Sequence, residues 1–184
     1  MDLRNKYNHL TSKKPQYLLY KYRPIDCGAK QKIVQPTDTS PSLYDKGIKR
    51  VKAIFGALIY VVRSVNNKLL VTLIEIGSQQ AVATEETADA IEQLLDYVLT
   101  CPDDGIIFRK SDMILAAHAD AGLLNESKAR IRSGAHIFFL ENNPNPKRNG
   151  PTLTISKIIK SVIASADEAK MAALNITDKD ETTT

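Results

Sequence analysis

The spacing of apolar residues changes character near Gly105. Ahead of it, between Tyr44 and Val65, apolar residues Val51, Ile54, Leu58, Val61 and Val62 recur at intervals of three and four. That spacing gathers them on one face of an amphipathic α-helix. Asn66 and Asn67 interrupt it. The next run, LLVTLIEIGSQQA (69–81), is ambiguous, because its β-branched residues favour a strand while its length and lack of alternation favour a helix. The balance goes to a helix. Thr84 then caps a third helix, with Ala88, Ile91, Leu95 and Val98 as its apolar stripe. It ends near Cys101-Pro102, and Asp103-Asp104-Gly105 supplies a turn.

Beyond Gly105 the pattern is that of strands. Ile106 to Arg109 reads as a short strand. Met113 to Ala119 is almost continuously apolar, as in a strand covered on both faces, and it ends at Asp120. Gly134 to Leu140 is a third strand. NNPNPKRNGP (142–151) is a turn-rich loop, and Thr152 to Ile159 is a fourth strand. SVIASADEAKMAALNI (161–176) closes the ordered part as a helix. Ser165 and Glu168 stand three apart at its start, as a capping box requires, and its apolar face runs through Met171 and Leu174. No internal repeat is visible. The expected organisation is α+β: an irregular arm over 1–43, a helical segment over 44–101, a strand-and-helix unit over 105–176, and a disordered tail over 177–184.

Composition narrows the class. With 184 residues and 43% hydrophobic content, the chain suits one or two small globular units. No run of about 18 apolar residues predicts a membrane span. The N-terminus lacks the apolar stretch of a secretory signal. Cys27 and Cys101 are far apart in unlike contexts, which fits a reducing compartment better than a disulfide framework. Three scattered histidines without neighbouring cysteines argue against zinc. The net charge of +4 is uneven: residues 1–50 carry 11 Lys/Arg against four Asp, so the remainder is net acidic. A basic arm fits either phosphate contacts or a solvated linker.

Several residues are candidates for chemistry. Asp120, at the end of an apolar strand and beside a small-residue turn, is placed either to hold a metal or simply to end the strand. His118 shares its face by strand alternation, and is either a supporting base or a half-buried structural histidine. Lys128, Arg130 and Arg132 alternate along one side of ESKARIRSG. They fit a phosphate backbone, or a charged edge that discourages strand pairing. On the closing helix Glu168 already has a capping task. Lys170 lies about 200° round from Glu168, and Asp167 about 60° from Lys170.

Three stretches together resemble the Pol polyprotein of copia-type retrotransposons, at the join of its reverse transcriptase and ribonuclease H regions. They are VKAIFGALIYVVRSVNNKLLVTLIEIGSQQAVATEETADAIEQLLDYV (51–98), MILAAHADAGLLNESKARIRSGAHIFFLEN (113–142) and TLTISKIIKSVIASADEAKMAAL (152–174). Each is weak alone; their order and spacing carry the likeness over most of 44–175. No Tyr-x-Asp-Asp hairpin is present, so the first hundred residues resemble only the helical region after a polymerase core.

The resemblance implies an incomplete RNase H-like mixed sheet with a packed helix, following a helical reverse-transcriptase tail. Enzymes of that family cut RNA in RNA–DNA hybrids, with two Mg²⁺ ions held by carboxylates roughly 4 Å apart. It implies partners as well: an RNA–DNA hybrid or other nucleic acid, and the remainder of a Pol polyprotein. The location it implies is the cytoplasm or a virus-like particle. Asp120 matches the first catalytic Asp. In the family's S-x-x-E-A-E motif the second Glu is the metal ligand, and Lys170 stands in its place. Glu168 matches the first, non-ligand Glu. The family's next catalytic Asp lies on a further strand, and only eight polar residues follow Ile176 here. Two unit charges about 4 Å apart interact by roughly 4 kcal/mol at an effective dielectric near 20, and a divalent ion doubles that. A lysine at the ligand position is therefore expected to abolish tight Mg²⁺ binding and catalysis. The expectation from a different class is a nucleic-acid-binding module without catalysis.

Overall fold

A computed structural model describes Lys6, Tyr7, His9 and residues 15–21, 38–126, 130–161 and 163–181. The described residues fall into two compact units, one ending at Gly105 and the other starting at Ile106. Most of the basic arm, including the whole of 22–37, lies outside them.

In the first unit α1 spans Asp45–Ser64, α2 Leu70–Gln79 and α3 Glu85–Thr100, with a 3-10 turn at Asn67–Leu69. The periodicity is realised directly. Val51, Ile54, Leu58 and Val62 of α1 pack with Leu69, Leu70, Leu73 and Ile76, and with Ile91, Leu94 and Leu95 of α3. The ambiguous run is therefore helical. Gly77 sits where α2 meets the Phe55 ring, and a Cβ there would collide with it. Thr84 caps α3 by accepting from the Thr87 amide, while the Thr87 hydroxyl accepts from the Thr84 amide. Asp38 accepts from the Ser40 amide and hydroxyl and from the Thr84 hydroxyl, and these bonds hold its carboxyl down at about 2. At the other end of α3 the Tyr97 hydroxyl donates to Asp104, at 2.8 Å, and that bond raises the phenol to about 12.

The second unit is an antiparallel sheet in the order β1-β2-β3, with one helix against it. β1 is Ile114–Glu126, β2 Arg130–Leu140, β3 Pro151–Ile159, and α4 is Ala166–Glu181. Among the described residues every pairing is antiparallel, so the expected mixed sheet is not formed. β1 and β2 match one to one from Ile114↔Leu140 to Gly122↔Arg132, and a bulge follows before Glu126↔Arg130. Ala119, Ala121, Ile131, Ala135, Ile137, Ile155 and Ile159 share the face covered by α4, where Ala169, Ala172 and Ile176 meet them.

Four expectations need correction. Ile106–Arg109 is not a strand. Its hydrogen bonds go to a side chain instead: Asn149 Oδ1 accepts from the Arg109 amide at 2.7 Å, and Asn149 Nδ2 donates to the Arg109 carbonyl at 3.2 Å and to that of Phe139 at 2.8 Å. The strand expected to stop at Asp120 continues to Glu126, because Gly122 and the bulge let it follow β2. The tail expected from 177 is helical as far as Glu181. Finally, Met171 and Leu174 face outward at 68% and 54% exposure, while Ala169 and Ala173 are fully buried. Small side chains let the helix approach the sheet closely, and the larger ones are left outside. No helix among the described residues is long and apolar enough to cross a membrane.

Candidate functional site

The face of the sheet turned away from α4 collects four of the residues singled out in the sequence: His118, Asp120, Arg130 and Arg132. Alternation along β1 places His118 and Asp120 there, since Ala119 and Ala121 point to the helix. The ladder then fixes their neighbours. His118 lies opposite His136, Asp120 opposite Gly134, and Gly122 opposite Arg132. On β3, Thr154 lies opposite His136 and Ser156 opposite Gly134. Arg130 alternates with Arg132 and lies on the same face.

Asp120 is exposed, and glycine opposite it leaves its carboxylate uncrowded. Its Oδ1 accepts from the amide of Ala121 at 2.8 Å. Arg132 is buried, with its guanidinium Nη1 donating to Ser156 Oγ at 3.1 Å, so its apolar stem lies along the sheet while its head meets polar groups. Arg130 is exposed. Lys128 lies outside the described residues. His118 stacks edge-on against Phe138, with ring centroids 5.1 Å apart. His136 Nδ1 is 3.2 Å from Thr154 Oγ1. Desolvation between its strand neighbours, and next the charge of His118, hold the His136 imidazole below its usual range. This histidine pair was not evident from the sequence, because only the strand register brings residues 18 apart into contact.

The helix residues lie elsewhere. Lys170 is exposed on the flank of the Ala169–Ala173 stripe. Asp120 faces away from the helix that carries Lys170, so the two positions implied as one metal site are on opposite sides of the sheet. Asp167 is exposed in the first turn of α4. Glu168 performs the capping task expected of it, with one shift of partner. Its amide donates to Ser165 Oγ at 3.2 Å, but its carboxylate accepts from the Ala164 amide at 2.7 Å instead of that of Ser165. Among the described residues no three His, Cys, Asp or Glu side chains converge in a way that suits a metal ion.

The helical unit contains a second polar cluster that sequence spacing gave no means of finding. His9 is buried with Nδ1 2.6 Å from Glu92 and Nε2 2.9 Å from Asp96. Arg50 Nη2 donates to the other oxygen of Glu92 at 2.6 Å. Glu92 and Asp96 are one turn apart on α3, and His9 lies 83 and 87 residues before them in the chain. Among the described residues the contacts of His9, Glu92 and Asp96 here are with one another and with Arg50, whose Nη1 is buried without a partner, so the cluster reads as a clasp holding His9 to α3.

Comparison of the chain with protein-family models, with curated proteins and with solved structures finds no match in any of the three. What the site can do is therefore argued from its own geometry: an open sheet face with a carboxylate, two arginines and a histidine pair.

Proposed function

We propose that the chain is a fragment of a copia-type retrotransposon Pol protein, and that its sheet-and-helix unit is an RNase H-like module without catalytic activity. The antiparallel order β1-β2-β3, the helix that follows it and Asp120 on the first strand support the kinship. The observation that carries the loss of activity is the separation of Asp120 from α4. Two-metal hydrolysis needs several hard oxygen ligands converging on the ions. Among the described residues no set of such ligands converges on Asp120, and the helix position that would supply the next one holds Lys170, a cation. The purified chain is expected to leave the RNA of a labelled RNA–DNA hybrid uncut in Mg²⁺ or Mn²⁺. Cleavage that disappears in Asp120→Asn would refute the proposal.

A second reading, a nucleic-acid-binding module, is favoured by the arginines on the open face. Arg130 is exposed there, with Arg132 two positions on and the histidine pair beside it. Phosphate contacts release counterions, so affinity for a hybrid duplex should fall steeply with salt. Arg130→Ala should then reduce the slope of log affinity against log salt by about one. Binding that ignores salt would eliminate this reading.

A further inference from the structure

We propose that β1 pairs antiparallel with β1 of a second copy of this chain, in a register centred on Ala119. The proposal rests on the edge of the sheet and not on the functional reading above. Among the described residues β1 is hydrogen-bonded on one side only, and it is 13 residues long. Natural edges are usually blunted by lysine, by proline or by brevity. Between Ile114 and Gly122 this one has neither lysine nor proline, and it runs one to one with β2 throughout. The bulge comes only after Gly122.

The direction of the open groups is set by Asp120. Alternate amides of an edge strand point away from the ladder, and Asp120 Oδ1 takes one of them, that of Ala121. Ala117 and Ala119 present their backbone to the same side. An incoming strand therefore bonds to 117, 119 and 121. The side chains then select the register, since an imidazole N–H can donate to a carboxylate. Centred on Ala119, a two-fold pairing sets His118 of each copy opposite Asp120 of the other, twice, on the same face. Centred one residue earlier, it sets His118 against itself. Centred one residue later, it sets Asp120 against itself, a like-charge contact. Of these three registers only the one centred on Ala119 is complementary. Regular pairing then covers 116–122, and small residues occupy the helix-side positions 117, 119 and 121. The Ala121 amide passes to the Ala117 carbonyl of the second copy, which frees Asp120 for histidine. The internal bond now seen is what an unpaired edge makes in place of that exchange.

The test is sedimentation of the full chain over a wide concentration range, alongside amide hydrogen exchange. A dimer mass is expected at high concentration, with the amides of Ala117, Ala119 and Ala121 gaining protection as it forms. Ala119→Pro removes an outward amide, which an edge strand tolerates, and should leave a folded monomer. If that variant fails to fold, charge decides. Asp120→Lys should weaken dimerisation by about tenfold or more, and the double exchange His118→Asp with Asp120→His should restore it. A single-chain mass at every concentration overturns the proposal. So does protection of these amides that does not depend on concentration, since another segment of the same chain would then cover the edge. A double exchange no tighter than Asp120→Lys overturns the register.

Discussion

The helical unit and the sheet unit of this chain solve the burial problem differently. In the first, large aliphatic side chains from three helices close on one another, and Ile54, Leu58, Leu73 and Leu94 are wholly buried. In the second, one helix covers one face of a sheet, chiefly through alanines, and the other face is left to histidines, arginines and Asp120. Apolar area removed from water is the main favourable term, at roughly 25 cal/mol per Å². A core of Leu and Ile on every side therefore gathers more stabilisation per residue than a single alanine seam. The difference teaches where function can lie. A unit whose large side chains enclose one another offers little open chemistry, whereas the sheet unit, whose second face and β1 edge meet no further strand or helix among the described residues, has surface left for a partner.

Core truncation should break this contrast first if it is wrong. Leu94→Ala removes a side chain surrounded by other large ones, where the cavity cannot collapse, and should cost about 3–5 kcal/mol. Ile137→Ala, against a seam of small residues, should fall lower, at about 2–3 kcal/mol. Native-state hydrogen exchange on α3 and β2 reads the two units separately. Equal losses would mean that the sheet core is as well enclosed as the helical one.

The His9 clasp comes next. Both ring nitrogens lie within hydrogen-bond distance of a carboxylate. His9→Ala leaves Asp96 without this partner and Glu92 with Arg50 alone, and should destabilise the helical unit by about 1–3 kcal/mol in urea titration. A change below a few tenths would show that the N-terminal segment contributes nothing to that unit.

Ser133 makes the opposite prediction for the sheet unit. It is fully buried on the helix side, and its hydroxyl has no partner among the described residues. An unsatisfied buried hydroxyl costs free energy, so Ser133→Ala should be neutral or should stabilise by up to about 1 kcal/mol. A clear loss of stability on thermal melting would reveal a bond that the hydroxyl does make.

The same contrast explains what could be read from the sequence. The helices of the first unit were legible because large apolar residues at helical spacing became its core: Val51, Ile54, Leu58 and Val62 are all buried. In the sheet unit size misled. Met171 and Leu174 marked the wrong face of α4, because closeness of approach selected Ala169 and Ala173. Ile106–Arg109 has strand composition, but its backbone is bonded by the side chain of Asn149, a contact 40 residues away. Asp120 with His118, and Arg130 with Arg132, were identifiable as candidates within their own strands. Their assembly on one face with His136 depends on the register, including the bulge after Gly122, which no local pattern encodes.

The smallest expected effect concerns that open face. The folded sheet holds the His136 imidazole below its ordinary range, first by desolvation and then by the charge of His118. The unfolded chain therefore binds the proton more readily than the folded one. The sign follows from linkage: the contribution to stability is fully present above the unfolded value, and it is lost as pH falls through the lowered folded value. The sheet unit should accordingly weaken on moving from pH 7 into the acid side of the histidine range, and His136→Gln should flatten that dependence. Titration of the His136 ring protons by nuclear magnetic resonance gives the direct measurement. Removing His118 should raise the His136 midpoint, because the second cause disappears while desolvation remains. A midpoint that stays put in that variant would mean that the two rings do not sense each other across the β1–β2 ladder. The face would then be a set of separate exposed side chains, and no more organised for recognition than the rest of the surface.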